Sequence, residues 1–551
     1  MTLYTETTDA PETTATPYSL QSGDEFRGKL SVGGGDWLRV DLTEGNTYTF
    51  GAVGMGALKS GVRDTVLVLH AADGTVLATD DNSGPGVSSS LTTTASTTGS
   101  YYIEVRATAG VANGAYGLAM TDGARVSYGV ELGAAELYRP GRSWADAPQS
   151  ATTVTYAFRA TDPGTTDASG HTAPFHTLTA AQQIAAAYAL TNYSSVANIT
   201  FAKQDNGTGF SDHATILIGA YTSASDGAGA FANYPGTQPG SRADASVAGD
   251  MWMNTNSVSA NTLPYGSYSQ FVFLHELGHA MGLAHPGDYN AAPGVSITYA
   301  NNAQFVQDSS QFTVMSYFNA SATEPNAPHH YADTLMMYDI YAVQQLYGAN
   351  NSTNAGDSIY GFHSNVGGPF DFAVNKAPLL CIWDGAGNDT LDVSGFAQAQ
   401  KIDLYATHFS DVGGYKGNVS IAFGCNIENA VGGKGADTII GNDLANFLRG
   451  GLGNDTLIGN GGNDKLAGNA GNDDFVFAQG SGRDTVTDFA DGSDMLTLAS
   501  SLWGGNTLSA HDVLAFASLV NGHVVFNFDV DQVVLMTAHS IAALESQILL
   551  A

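Results

Sequence analysis

Residues 275–285 read His-Glu-Leu-Gly-His-Ala-Met-Gly-Leu-Ala-His, and this stretch decides the fold of the chain around it. His275 and His279 are four residues apart, so a helix places both on one face, where they can bind one ion. Gly282 allows the helix to end and the chain to turn back, which brings His285 to the same ion. Three neutral imidazoles leave one position of a tetrahedral zinc ion open for water, as in catalytic sites. The pattern therefore predicts one catalytic Zn²⁺ bound by three histidines.

Glu276 lies next to the ligand face without being a ligand, and it can accept a proton from the water. The expected chemistry is zinc-assisted hydrolysis. The alternative, a surface helix with scattered histidines, is disfavoured by the glycine and third histidine at these spacings. Downstream, Thr313-Val314-Met315-Ser316-Tyr317 places a methionine where long-motif zinc peptidases have a methionine turn. The alternative for Met315 is a flexible filler of the core.

Glycines recur every nine residues between 432 and 476, and each group precedes a short apolar strand. This is the nonapeptide repeat of a parallel β-roll, in which glycines form tight turns and carboxylates join backbone carbonyls around calcium. The alternative is a glycine-rich linker without calcium. Asn446 stands where other repeats have aspartate, so we expect a weaker or empty site there. The predicted calcium-site residues of the repeats are Gly433, Gly435, Asp437, Asn446, Gly451, Gly453, Asp455, Asp464 and Asp473.

Acidic residues outnumber basic residues by 52 to 19, which gives the 551-residue chain a formal net charge of −33. This charge argues against nucleic acid and anionic membranes as partners, since both require basic surface. It suits a protein that binds many calcium ions through carboxylates. No apolar run long enough for a membrane span is present. The two cysteines, Cys381 and Cys425, do not make a disulfide framework, and their spacing leaves their pairing open.

Length and pattern predict a multidomain chain that is α+β in the middle and all-β at both ends. Residues 1–22 are rich in threonine and are interpreted as a disordered leader that lacks an N-terminal signal peptide. Residues 23–122 show short alternating apolar runs between Gly, Asn and Asp turns, which predicts an antiparallel β-sandwich. Residues 123–150 are interpreted as a linker.

The middle of the chain shows helix and strand patterns in turn. Thr179 and Gln182 have the spacing of a capping box in front of an alanine-rich run. The pair His329-His330 is interpreted as a surface or packing feature, because the zinc site already has three histidines. The predicted elements are a helix over 180–192, strands over 198–202 and 215–221, a zinc-binding helix over 269–281, and a helix from Asp333 to just before Gly348.

These motifs resemble the serralysin family, which comprises secreted bacterial metzincin endopeptidases, over about residues 140–500. The similarity extends beyond the zinc motif to His285-Pro286-Gly287-Asp288-Tyr289-Asn290 and to Met315-Ser316-Tyr317. It also includes residues 338–350, which are similar to the helix that closes the catalytic domain of the family. Trp383-Asp384 with Gly387-Asn388-Asp389 resembles the beginning of its calcium-binding domain.

The resemblance implies a metzincin-type zinc protease domain over 151–350 and a serralysin-type C-terminal domain over 351–551. Residues 227–232 are expected to form the edge strand that pairs with an extended protein or peptide substrate. Met315 is expected to form the turn beneath the zinc ligands. Tyr317 is expected to stabilise the reaction intermediate. The implied function is that of a calcium-dependent zinc metalloendopeptidase.

The resemblance also implies several structural Ca²⁺ ions, with sites outside the repeats. The additional expected ligands are Asp389, Asp484, Asp488 and Asp494. Members of the family leave the cell through a type I exporter that reads an uncleaved C-terminal signal, which implies an extracellular location. The tail Ile548-Leu549-Leu550-Ala551 lacks the adjacent acidic residue often found in the family. A proteinaceous inhibitor is an expected partner, and the protein is expected to be a monomer without membrane insertion.

Residues 64–82 resemble the bacterial prepeptidase C-terminal type of domain, which ordinary serralysins do not carry at this position. Substrate binding, autoinhibition and assistance in folding are its open roles. Two alternatives to an active enzyme follow from the pattern. One is a latent zymogen held inactive by its N-terminal region, and the other is a non-catalytic calcium-binding surface protein.

Overall fold

The computed structural model describes residues 2–31, 33–56, 62, 64–108, 114–139, 141–236, 242, 246–490, 492–537 and 540–551. The chain forms two compact units. The first unit comprises Met1–Thr323 and His329–Asn350, and the second comprises Glu324–Pro328 and Asn351–Ala551. Within the described ranges, no helix combines the length and apolar character needed to cross a bilayer.

The first unit begins with two β-sheets, here called the N-terminal sheets. Their strand orders are β1-β3-β10-β5-β8 and β2-β4-β9-β6-β7, mostly in antiparallel pairs. Apolar side chains from both sheets, among them Phe26, Leu38, Phe50 and Ile103, form one buried cluster. The strands are β1 (Leu3–Thr5), β2 (Ser19–Leu20), β3 (Glu25–Lys29), β4 (Gly35–Leu42), β5 (Thr47–Gly54), β6 (Thr65–His70), β7 (Val76–Asp81), β8 (Ser89–Thr94), β9 (Gly99–Ala107) and β10 (Ala115–Asp122).

Two predictions for this part of the chain are wrong. Residues 1–22 are not a disordered leader, because β1 pairs in parallel with β3 and β2 pairs in parallel with β4. These strands have only three and two residues, too few to show an alternation of apolar residues, and they complete the backbone hydrogen bonds of sheet edges. Residues 123–150 are not a plain linker, because they contain helix α1 (Val130–Tyr138), whose side chains are nearly all buried.

The rest of the first unit is a mixed sheet with helices. Its main strand order is β13-β11-β14-β16-β15, in which β15 forms one edge and runs antiparallel to β16, and β12 pairs antiparallel with β14 off this order. The elements are β11 (Thr152–Phe158), β12 (Phe175–His176), α2 (Ala180–Val196), β13 (Ile199–Lys203), β14 (Ile216–Tyr221), β15 (Ala230–Ala232), β16 (Met251–Asn254), α3 (Tyr268–Ala280), α4 (Tyr299–Asn302) and α5 (Met337–Tyr347).

The predicted capping box at the start of α2 is confirmed, because the Thr179 side chain and Gln182 satisfy each other's backbone N–H groups. The predicted start of α5 at Asp333 is wrong. That helix starts at Met337, where the Asp339 carboxylate accepts the N–H of Met336 at 2.9 Å. A buried acid in the first turn therefore does the work expected of a preceding cap.

The second unit is built mainly of parallel strands that alternate between two sheets. Their orders are β17-β19-β23-β25-β27-β29-β33-β32-β31 and β20-β24-β26-β28-β30-β34, and a small sheet contains β18-β22-β21. Phe447 pairs with Lys465, so two nine-residue repeats make one full turn. The elements are β17 (Ile359–Gly361), β18 (Leu380–Ile382), β19 (Thr390–Asp392), β20 (Lys401–Asp403), β21 (Phe409–Ser410), β22 (Val419–Ile421), β23 (Asn429–Val431), β24 (Thr438–Ile440), β25 (Phe447–Leu452), β26 (Thr456–Ile458), β27 (Lys465–Ala470), β28 (Asp474–Phe477), β29 (Arg483–Val486), β30 (Met495–Leu498), α6 (Ala510–Val513), β31 (Ala517–Val520), β32 (His523–Phe528), β33 (Asp531–Leu535) and β34 (Ile548–Leu550).

One apolar side chain per repeat fills the space between the two sheets. These residues are fully buried, and they are Ile439, Leu448, Leu457, Leu466 and Phe475. Each repeat therefore contributes one short strand with a single inward-facing side chain, which is why the apolar runs are so short. Both cysteines of this unit, Cys381 and Cys425, are also buried.

Candidate active site

The three predicted zinc ligands meet at one point. His275 and His279 lie one turn apart on α3, and His285 follows in the loop after the helix. Nε2 of His285 is 3.2 Å from Nε2 of His275 and 3.0 Å from Nε2 of His279. Tetrahedral zinc with Zn–N bonds of about 2.0–2.1 Å separates its ligand nitrogens by roughly 3.4 Å. The three nitrogens are therefore spaced to surround one ion.

Each imidazole is held in place through its other nitrogen. Every Nδ1 lies 2.8 Å from a backbone carbonyl, which makes Nδ1 the donor and leaves the Nε2 lone pair for a metal. The accepting carbonyls belong to Val314 for His275, Leu283 for His279 and Tyr289 for His285. The backbone thus selects the tautomer that metal binding requires.

Gly282 turns the chain back after α3, as predicted. Its φ is +104°, a conformation that side chains other than glycine rarely adopt. A Cβ at this position would lie 2.1 Å from the carbonyl oxygen of Arg142. The N–H of Leu283 reaches back to the carbonyl of Gly278 at 2.8 Å and closes the turn. Both the conformation and the lack of space therefore require glycine here.

Burial sets the protonation of this site. It lowers the pKa of His275 to about 4 and that of His279 to about 3, so both rings are neutral at pH 7. It raises the pKa of Glu276 to about 8, and Oε2 of this residue is buried without a hydrogen-bond partner among the described residues. Three neutral imidazoles beside an unsatisfied carboxyl oxygen fit a dication with a water molecule.

The methionine turn lies directly beneath the helix. Met315 is fully buried, and a Cβ added at Gly278 would lie 2.3 Å from its sulfur. The buried carboxylate of Asp339 accepts hydrogen bonds from the Thr313 hydroxyl at 2.6 Å and the Val314 N–H at 2.7 Å. Asp339 therefore fixes the backbone of Val314, whose carbonyl orients His275.

A cleft of about 300 Å³ opens in front of the histidines. Tyr317 lines it with its ring centroid 4.5 Å from that of His285, and its side chain is 38% exposed. One side of the cleft is formed by Ala230 of the edge strand β15 and by Gly229, which precedes it. The residues that line the cleft all lie between 227 and 331, so none of them belongs to the described N-terminal sheets. This arrangement does not favour a latent form in which those sheets fill the cleft.

The predicted calcium residues form a regular ladder in the second unit. The N–H of Asp437 donates to Oδ1 of Asp455 at 2.8 Å, and the N–H of Asp455 donates to Oδ1 of Asp473 at 2.9 Å. On the other side, the N–H of Asp464 donates to Oδ1 of Asp484 at 2.9 Å. The second carboxyl oxygens of Asp455, Asp464 and Asp484 are buried without a hydrogen-bond partner among the described residues. These orphan oxygens fit a cation bound between successive turns.

The carboxylates of the other predicted calcium residues accept hydrogen bonds from backbone N–H groups. The Asp488 carboxylate accepts backbone N–H groups from Gly468 and Asn469, and the Asp494 carboxylate accepts those of Asp473 and Ala490. Asp389 is buried and accepts the N–H of Ser358 at 2.7 Å. Gly451 and Gly453 have positive φ values, and a Cβ at either would meet the carbonyl of Gly433 or Gly435 in the preceding turn.

Asn446 satisfies its own amide within the protein. Its Oδ1 accepts the N–H of Asn442 at 2.8 Å, and its Nδ2 donates to the Glu428 carbonyl at 2.9 Å and to Oδ1 of Asn442 at 3.0 Å. No oxygen of this side chain is left unpartnered, in contrast to Asp455 and Asp464.

Known proteins are similar in sequence to most of this chain. The family model described as peptidase M10 serralysin C terminal matches residues 349–543. Metallopeptidase AprA of Pseudomonas marginalis is 42% identical over 418 residues, which cover 73% of this chain and 84% of that protein. The chain belongs to the serralysin family. Serralysin B of Dickeya chrysanthemi is 40% identical over 331 residues, which cover 58% of this chain and 66% of that protein.

As a member of the serralysin family, the protein is a metalloendopeptidase with a zinc-binding triad of histidines. The crystal structure of the prepeptidase C-terminal domain of collagenase from Bacillus anthracis is also similar. It matches 19% of this chain and 93% of that domain, with a TM-score of 0.16 and 18% identity.

Two buried acids near the zinc site were missed by the sequence reasoning. Asp308 accepts the hydroxyl of Tyr289 at 2.8 Å and that of Ser316 at 2.7 Å, and so supports the third-ligand loop and the methionine turn together. Asp339 fixes the methionine turn from α5. Burial raises the pKa of both carboxyl groups to about 7. A lone buried aspartate has no sequence pattern. The position of Asp339 in the first turn of a helix was therefore the only signal for either residue.

Proposed function

We propose that this serralysin cleaves internal peptide bonds of proteins at the site formed by His275, His279 and His285. One observation carries the assignment. Three Nε2 atoms converge in an open cleft beside a buried Glu276 oxygen that has no partner among the described residues. When bound there, zinc polarises the scissile carbonyl and makes the attacking water more acidic.

Glu276 is proposed to transfer the proton, and Tyr317 to stabilise the negative charge that develops. Glu276 accepts the proton of the attacking water and delivers it to the leaving amine. The Tyr317 hydroxyl donates a hydrogen bond to the oxygen on which negative charge develops. In this structure that hydroxyl accepts the N–H of Ala291 at 3.4 Å, a long contact that a small rotation can release.

The substrate is proposed to bind as an extended strand. Among the described residues, β15 pairs with a strand on one side only, β16, so its other edge can offer backbone groups at the cleft. Backbone pairing binds many sequences, because only alternate side chains reach pockets. The aromatic rings of Tyr268, Phe271 and Tyr331 line the same cleft and can contact such side chains.

The second unit is proposed to bind several structural Ca²⁺ ions between its turns. Support comes from the unpartnered oxygens of Asp455, Asp464 and Asp484, whose burial raises their pKa values to about 7, 7 and 8. Groups that are hard to ionise without a cation become strong ligands when one arrives. The remaining proposed ligands are Asp437, Asp473, Asp389, Asp488 and Asp494.

We further propose that the protein is exported by a type I system, acts outside the cell as a monomer, and is a target for a proteinaceous inhibitor of the cleft. This proposal is supported by membership of the family and by the net charge of −33. The C-terminal tail lies in a parallel sheet, where β34 pairs with β30. A recognition signal in this tail is expected to be read before that sheet forms.

The decisive test replaces Glu276 with glutamine, which has the same shape but cannot take a proton. We expect zinc content to be unchanged and kcat/KM on a fluorogenic peptide to fall by about 10³-fold or more. The control is Glu44→Gln, an exposed residue of the N-terminal sheets. A Glu276→Gln protein with zinc bound and full activity would remove Glu276 from the mechanism.

A further inference from the structure

The N-terminal sheets contact the loop that carries the third zinc ligand. The N–H of Gly86, in the turn before β8, lies 2.9 Å from both carboxylate oxygens of Asp288. Asp288 follows His285 by three residues. A second contact lies beside it, where the side-chain amide of Gln304 reaches the carbonyl of Ser83 at 3.4 Å. The sheets therefore contact the loop that follows His285, and none of their described residues lines the cleft.

Arg139 connects this contact to the zinc ligand itself. It directly follows α1, and its guanidinium donates to the backbone carbonyl of His285 at 2.7 Å and lies 3.4 Å from the Asp288 carboxylate. The same group also donates to the carbonyl of Glu136. An arginine stays charged and presents several fixed donors, so one guanidinium can bond to two points of the same loop.

The N-terminal sheets also fix the base of this network. Ser88 donates its hydroxyl to the carboxylate of Glu136 at 3.3 Å, and Glu136 is fully buried. Gly86 packs so closely that a Cβ there would lie 2.8 Å from Nε of Arg139. Arg139 is thus bounded on one side by the sheets and on the other by the His285 loop.

We infer that Arg139 is a positioning residue for the third zinc ligand and that the N-terminal sheets hold it in place. The imidazole of His285 takes its direction from the loop 285–289, because Nδ1 is bonded to the Tyr289 carbonyl. Arg139 fixes the beginning of this loop at the His285 carbonyl and its middle at Asp288. The sheets act on catalysis by maintaining the geometry of the metal site. This inference rests on the proposed zinc site.

The test introduces one methyl group at the interface in the full-length protein. Gly86→Ala pushes against Arg139, whereas Gly45→Ala is the matched control, with φ of +84° against +64° and no atom within 4 Å of the added Cβ. Both substitutions strain the backbone by about 1 kcal/mol. We expect Gly86→Ala to weaken zinc binding about tenfold, as removal of support behind a metal ligand does, and Gly45→Ala to leave it unchanged. Zinc affinity is measured by competition with a chromophoric chelator.

A second pair separates positioning from general stability. Arg139→Met removes every side-chain donor, while Arg139→Lys keeps the charge on a single donor nitrogen, so we expect lysine to recover part of the zinc affinity lost with methionine. The absorption bands of the Co²⁺-substituted proteins should shift in Gly86→Ala and Arg139→Met only. Normal zinc affinity in Gly86→Ala and Arg139→Met, or an equal loss in Gly45→Ala, would overturn the inference. Failure of the unaltered protein to bind zinc would instead overturn the proposed function.

Discussion

Asn446→Asp should convert a satisfied turn of the second unit into a calcium site. The substitution replaces Nδ2, which donates to the Glu428 carbonyl at 2.9 Å and to Oδ1 of Asn442 at 3.0 Å, with an oxygen. Without calcium, three oxygens then face one another in a buried place. With calcium, the same three oxygens become ligands. The sign of the effect on stability should therefore depend on the ion.

The magnitude follows from the two lost hydrogen bonds. Each contributes about 1 kcal/mol, and the unsatisfied buried oxygen adds about 1–3 kcal/mol, so we expect a loss of about 3–5 kcal/mol without calcium. For a unit of this size, 1 kcal/mol shifts Tm by about 2–4 °C, so we expect Tm to decrease by roughly 6–20 °C. At a calcium concentration 100 times its Kd, binding adds about 2.7 kcal/mol and reverses half or more of the loss.

The assay measures the difference in Tm between variant and unaltered protein, in chelator and in calcium. Isothermal titration calorimetry provides the number of calcium ions bound, which should increase by one. The control is Asp529→Asn, an exposed residue of the same unit with φ of +68°, where asparagine is well tolerated. An equal decrease of Tm in both solutions, with no additional ion bound, would refute the reasoning.

Three further outcomes follow from the structure. Gly278→Ala should weaken zinc binding and lower Tm, although alanine favours helices. Its Cβ would lie 2.3 Å from the sulfur of Met315, and such overpacking costs about 1–3 kcal/mol. Chelator competition measures the zinc affinity, and thermal unfolding measures the Tm. Tyr317→Phe should reduce kcat by about 10²-fold with zinc affinity unchanged, and a normal kcat would exclude the tyrosine from charge stabilisation. Without calcium, the raised pKa values of Asp455 and Asp484, about 7 and 8, mean that the folded state holds protons which the unfolded state releases near pH 4. The Tm of the calcium-free second unit should therefore fall as pH rises from 5 to 8, and a rising Tm in thermal scans would contradict this assignment.

Local patterns in the sequence were sufficient to predict the zinc ligands, the capping box of α2 and the strand period of the repeats. Each of these depends on residues close together in the chain, such as His275 and His279 or Thr179 and Gln182. The segment that contains Met315 was also singled out from a short motif, and the structure places this side chain in the core against α3.

The missed features depend on contacts between distant segments. β1 exists because β3 offers an open edge, and α1 is buried because the N-terminal sheets and α5 cover it. Asp308 lies more than 20 residues after His285, the nearest ligand, and Asp339 lies in another helix. A single aspartate shows no periodicity in the sequence. The roles of such residues become visible only when the partners of their oxygens are known.

The ladder of aspartates in the second unit has a direction. Each N–H of an aspartate is accepted by the carboxylate 18 or more residues later, from Asp437 to Asp455, Asp473 and finally Asp494. In the backbone ladder, by contrast, the later turn donates, as the N–H of Thr456 does to the Asp437 carbonyl at 2.8 Å, so each turn depends on both of its neighbours. Assembly should therefore spread as a one-dimensional chain of neighbours. Loss of a terminal turn should leave unpaired groups on the next turn and unravel the others in sequence.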